Sequence, residues 1–133
     1  MYGITLTRRL LREEPSASIV AVDNFSRSYR GGEQLTAESL GSGRIQILRC
    51  DYADISTADL NQLAPDAVVH LAARISVPES MDDPHAYFRN NEAGTFRFAH
   101  AVAGTRRPPL LVYASSPEVY GAPVRVPMDE DHP

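Results

Sequence analysis

A chain of 133 residues, 43% hydrophobic and 23% charged, has the composition of one soluble globular domain or of part of a larger one. Its 13 basic side chains stand against 17 acidic ones, a net charge of −4, which leaves no electrostatic case for nucleic acid or for an anionic membrane surface as a partner. The single cysteine, Cys50, excludes an internal disulfide, and without a membrane-length apolar run or a secretory leader block the default expectation is a cytoplasmic protein.

In chain order, residues 4 to 14 set Ile4, Leu6, Leu10 and Leu11 against Arg8, Arg9, Arg12 and Glu13, an amphipathic helix closing before Pro15. SIVAVD is a β-branched run of strand length that ends on Asp23 and passes into the polar loop NFSRSYRGG. RIQILRCD repeats the pattern and places Cys50 as a buried structural thiol. STADLNQL predicts a helix with Ser56 or Thr57 as its N-cap. DAVVHLAA and PLLVYASS are two further apolar strands, and residues 80 to 103 between them predict one long helix, with Tyr87, Asn91, Thr95 and Phe98 at helical spacing. The tail from Gly121 to Pro133 predicts an extended loop. Strands that are apolar throughout and alternate with helices predict an α/β fold with a doubly wound parallel sheet, in one domain spanning residues 1–133.

Ligands of such a sheet lie outside the carboxyl ends of its strands. The candidates are therefore Asp23 and Asn24, Asp51 and Tyr52, Leu71 to Ala73, and Ser115 with Ser116. An acidic residue ending the second strand of a dinucleotide fold accepts hydrogen bonds from both ribose hydroxyls of NAD and meets a 2′-phosphate with like charge. Ala72 and Ala73 would let a flat ring or a diphosphate approach the backbone. An aspartate after a strand also serves as a turn former, and an Ala-Ala pair also serves simple packing. A dinucleotide fold opens with a strand and a glycine-rich turn before its first helix. Here Gly3 stands directly before the helix, and Asp23 follows about 20 residues on, the separation expected between that turn and the ribose-binding acid. The expectation is that Gly3 is the last glycine of a loop whose beginning is not in these residues; a stray glycine near a frayed terminus is the alternative.

VVHLAARISVPESMDDPHAYFRNNEAGTFRFAHAV followed by LVYASSPEVYG resembles the extended short-chain dehydrogenase/reductase family, in its nucleotide-sugar epimerase and dehydratase branch. The likeness runs from Gly3 through VDNFS and CDYAD to MDEDHP. It implies a partial NAD-binding Rossmann domain that lacks the first strand and the C-terminal substrate part. In that frame Gly3 closes the phosphate loop, Asp23 and Asn24 hold the adenosine ribose, and Asp51 and Tyr52 flank the adenine. Leu71, Ala72 and Ala73 line the cofactor, Asn90 and Asn91 lie on the nicotinamide side, and Ser115 stands beside Ser116, the catalytic serine. The absent first strand would sit between the strands ending at Asp23 and Leu71 and leave two inner edges unpaired.

In the family a tyrosine deprotonates a sugar hydroxyl while NAD takes the hydride, a lysine keeps that tyrosine acidic, and the serine orients the reacting oxygen. Tyrosine and lysine come from a YxxxK segment, and every basic residue here is arginine. The implied function is that of an epimerase working through C4 oxidation and a 4-keto sugar, the chain being inactive by itself. Glu118 in SPEVYG matches a glutamate used by dehydratases and decarboxylases, although Pro117 replaces the acid or hydroxyl expected before it, and a solvated loop carboxylate is equally open. The implied partner is a nucleotide sugar, with a homodimer in the full-length form. A non-catalytic nucleotide-binding protein is the reading from a different class. The four histidines show no metal-ligand spacing.

Overall fold

The computed structural model describes residues 2–27 and 43–133, and the second half of the loop expected after Asp23 lies outside them. Helix α1 (Tyr2–Glu13) leads into strand β1 (Ile19–Val22), and β2 (Ile45–Leu48) lies parallel to β1 with Ile19 opposite Ile45 and Val22 opposite Leu48. The Arg44 guanidinium ties these parts together: it donates to the Leu11 carbonyl at 2.6 Å and to those of Glu14 and Pro15 at 3.1 Å. A cation thereby meets the negative end of the helix dipole and satisfies carbonyls that the helix leaves open.

After β2 a single 3₁₀ turn, Tyr52–Asp54, is capped by the Asp51 carboxylate, which accepts from the Ala53 amide at 2.9 Å. Helix α2 (Thr57–Leu63) starts at Ser56 with a full capping box: Ser56 Oγ accepts from the Asp59 amide, and the Asp59 carboxylate accepts from the Ser56 amide at 2.9 Å. Strand β3 (Ala67–His70) pairs in parallel with β4 (Leu110–Tyr113), Ala67 opposite Leu110 and His70 opposite Tyr113.

Between β3 and β4 the single long helix expected from the sequence is divided. Helix α3 (Val77–Asp82) stops at Asp83, α4 (Pro84–Tyr87) restarts it, a π-helical turn covers Phe88–Gly94, and α5 (Thr95–Ala103) completes it. Pro84 has no N–H to continue α3, and the Asp83 side chain caps the new start by accepting from the Ala86 amide at 2.9 Å. The π-turn has a tertiary cause: the Tyr52 hydroxyl, from the other side of the core, donates to the Asn90 carbonyl.

The strands form two parallel pairs, β1–β2 and β3–β4, with no ladder joining the pairs among the described residues. The doubly wound order is thus present as two halves, whose inner edges carry no partner strand among the described residues. One core nevertheless serves both: Val22 of β1 and Val68 of β3 pack against the buried cluster of Tyr52, Ile55, Leu60, Phe98 and Val102. All four residues of β4 are exposed, and the tail from Gly121 to Pro133 forms turns without helix or strand. No described helix is long and apolar enough to cross a membrane.

Candidate functional site

The carboxyl ends of β1 and β2 carry one group of predicted residues. Asp23 is exposed; its Oδ1 accepts from the Phe25 amide at 2.7 Å and holds a tight turn in which Phe25 takes a φ of 53°. Its Oδ2 has no partner among the described residues, so a carboxylate oxygen at the strand end is open to a ligand hydroxyl. Asn24 donates to the Asp51 carboxylate at 3.0 Å and joins the ends of the two strands, while its own Oδ1 accepts from Ser26 at 3.0 Å. The Arg49 guanidinium lies 4.3 Å from the centre of the Phe25 ring and stiffens the same turn. Tyr52 departs from its expected place beside a ligand: its ring is buried in the core, and burial, foremost, raises its phenol pKa. Cys50 behind this group is half-buried; burial and then the Asp54 carboxylate push its thiol up, which keeps it protonated and inert.

The carboxyl ends of β3 and β4 carry the second group. They border an open crevice of about 590 Å³ lined by Leu71, Ala72 and Ala73, by Ser115, Ser116 and Glu118, and by Asn91. Strand β3 ends at His70, one residue before the predicted Leu71, so Leu71 to Ala73 are exposed loop residues, and the methyl side chains of Ala72 and Ala73 are too small to block approach. The loop is pinned by Asn91, whose amide accepts from the Arg74 N–H at 2.8 Å and donates to the Arg74 carbonyl at 2.8 Å. The Asn90 side chain donates to Asn91 Oδ1 at 2.8 Å and fixes the orientation of that amide. Asn90 and Asn91 therefore act on the crevice wall.

Ser116 donates its hydroxyl proton to the Glu118 carboxylate, and that bond, foremost, holds Glu118 below the usual carboxylate range. Both residues are exposed. Gly3 sits in the first turn of α1, exposed and with open space where a Cβ would stand, and does not line the crevice.

A polar chain at the crevice joins Tyr52 to two residues not among the expected site residues, His70 and Thr95. His70 Nε2 lies 3.1 Å from Thr95 Oγ1, and the Tyr52 hydroxyl lies 3.5 Å from the same oxygen. The His70 ring packs 4.6 Å from that of Tyr52 and 5.6 Å from that of Tyr113, and burial lowers its pKa. The helical spacing of Thr95 and the position of His70 at a strand end were the only signals of this chain in the sequence.

A family model described as GDP-mannose 4,6 dehydratase matches residues 2–133. The UDP-glucose 4-epimerase of Mycolicibacterium smegmatis is 37% identical over 134 residues, which cover 98% of this chain and 41% of that protein. The crystal structure of UDP-glucose-4-epimerase from Stenotrophomonas maltophila, with bound NAD and formylated UDP-arabinopyranose, superposes with a TM-score of 0.73 at 30% identity, over 92% of this chain and 36% of that one. The dTDP-glucose 4,6-dehydratase DesIV of Streptomyces venezuelae, with NAD and TYD bound, superposes with a TM-score of 0.73 at 26% identity, over 98% of this chain and 41% of that one. The chain spans 34% to 41% of the length of its first curated relatives. The chain therefore belongs to the GDP-mannose 4,6 dehydratase family, within the NAD-dependent epimerase/dehydratase branch of the short-chain dehydrogenases/reductases.

Proposed function

We propose that these residues form the cofactor-binding part of an NAD-dependent nucleotide-sugar 4-epimerase. The observation that carries the reading is the crevice itself, whose lining brings the small residues Ala72 and Ala73 together with Ser116. The residues fit a dinucleotide: the open Asp23 oxygen suits a ribose diol, and the like charge of that carboxylate disfavours the 2′-phosphate of NADP. When bound, NAD supplies the hydride acceptor for C4 of the sugar. Leu71 to Ala73 shape the wall that a nicotinamide ring would lie against, and Asn91 holds that wall in place through both backbone groups of Arg74. Ser116 turns its proton from Glu118 to the reacting sugar oxygen and orients it. The chain has no lysine, so these residues do not themselves supply the lysine that the family's chemistry sets beside its tyrosine base. The nucleotide sugar is of the class named in the relatives, with the homodimer proposed for the full-length form.

One observation favours a second reading. The Ser116–Glu118 bond keeps the Glu118 carboxylate ionised beside the crevice, which suits proton abstraction in a dehydratase. In the full-length enzyme Glu118→Gln then abolishes water loss and leaves NAD affinity unchanged; an epimerase shows no loss of turnover. The cofactor reading is tested by titration calorimetry. NAD binds at least roughly tenfold tighter than NADP, and Asp23→Ala removes that preference together with about 1–3 kcal/mol of NAD affinity. Equal affinities for the two dinucleotides, or an unaltered Asp23→Ala variant, would contradict it.

A further inference from the structure

The turn after β1 and the helix after β3 belong to different strand pairs, yet they meet at one ion pair. Arg27, four residues beyond Asp23, pairs with Glu79 of α3. Glu79 is held from its own side: its carboxylate accepts from the Tyr87 hydroxyl at 3.2 Å, and that hydroxyl oxygen accepts from the Ser76 amide at 2.9 Å. The Arg74 guanidinium sits 5.9 Å from the centre of the Tyr87 ring on the same side. An isolated surface pair spends side-chain entropy to form, but here one partner is already fixed and only Arg27 has to be ordered. Both side chains are 44% exposed, so the pair is reachable by solvent and by ligand.

An extended ligand that places a ribose at Asp23 and its far end between Ala73 and Ser116 has to pass from the end of β1 to the end of β3. The Arg27–Glu79 pair joins the segments that follow those two strands, and Ser76, Val77, Ser80 and Tyr87 around Glu79 line the crevice at the far end of that path. The middle of a dinucleotide is its diphosphate, and a guanidinium carries five N–H donors, more than one carboxylate occupies.

We propose that Arg27, held by Glu79, is a strap across the diphosphate segment of the bound dinucleotide that has to swing aside before the cofactor can exchange. This rests on the cofactor reading above. Arg27 is the residue that touches the ligand; Glu79 is a positioning residue that acts through it.

Stopped-flow fluorescence of NADH release, with excess NAD as the chase, tests the strap. Glu79→Gln speeds release and association alike by roughly fivefold, the limit of an exposed ion pair, so the Kd moves less than either rate. Arg27→Gln speeds release at least as much, and the double variant behaves as Arg27→Gln alone. Glu79→Asp, which keeps the charge, restores part of the slow release. Raising salt to about 1 M speeds release from the parent chain and leaves Glu79→Gln unmoved. Unchanged release in Glu79→Gln, or additive effects in the double variant, would overturn the strap while leaving the cofactor reading intact. A parent chain that binds neither NADH nor NAD overturns the cofactor reading and the strap with it.

Discussion

Gly94 closes the π-turn in close contact with the buried Tyr52, and replacing it tests why the helix between β3 and β4 is irregular. A methyl group built at Gly94 would stand 2.8 Å from the Tyr52 hydroxyl oxygen, 3.3 Å from its Cζ and 3.2 Å from the Arg89 carbonyl. Tyr52 has little room to retreat: it is 8% exposed, and its ring centroid lies 4.6 Å from that of His70 and 5.8 Å from that of Phe98. On helix propensity alone Gly→Ala would stabilise by about 0.5–1 kcal/mol. Overpacking of a filled core costs about 1–3 kcal/mol, and displacing the hydroxyl from the Asn90 carbonyl costs about 1 kcal/mol more. The steric and polar costs win, and Gly94→Ala should destabilise by about 1–3 kcal/mol, read as a lower urea midpoint at unchanged m-value. The same substitution in a Tyr52→Phe background, which lacks the atom at 2.8 Å, should cost about 1 kcal/mol less. A Gly94→Ala chain as stable as its parent, or an equal cost in both backgrounds, would refute the claim that the tyrosine dictates this turn.

Two further perturbations reach the same region. Asn91→Leu removes both bonds to the Arg74 backbone and should cost about 1–3 kcal/mol, with faster amide hydrogen exchange in residues 72–76 than in β3. His70 is buried with its pKa lowered, so between the folded value and the ordinary value of about 6.5 the unfolded chain binds more protons than the folded one. Its contribution to stability is therefore fully present above about pH 6.5 and is lost as pH falls through that value towards the lower folded one. The thermal midpoint should fall between about pH 7.5 and pH 5, and His70→Gln should flatten that fall.

The β-elements were legible because each apolar run is short, β-branched and ended by a polar residue, and IVAV, IQIL, AVVH and LLVY all lie inside the predicted strands. The start of α2 was legible too, since the Ser56–Asp59 capping box is a contact within one turn. The interruption after Asp82 had a local sign in Pro84 that helical periodicity outweighed. The π-turn had none: it depends on Tyr52, 38 residues before Asn90, and only the folded core brings the two together. For the same reason Tyr52, expected beside a ligand because it follows a strand, has its ring in the core. Asn91 was expected on the nicotinamide side; it lines the crevice, and the bonds of its amide to the Arg74 backbone had no sign in the sequence. Arg27 and Glu79 escaped notice, and Tyr87 was legible only as a helical position, because each belongs to a different segment and becomes meaningful only when the segments meet.

In the proposed function one ligand path runs from the end of β1 to the serines after β4. Backbone NMR shift mapping during NAD titration tests it most directly. Saturating together, with one Kd, the amides of Asp23 to Phe25, Leu71 to Arg74 and Ser115 to Ser116 should all move, while those of α2 stay in place. Movement confined to one of these groups, or separate dissociation constants for the two strand pairs, would contradict it.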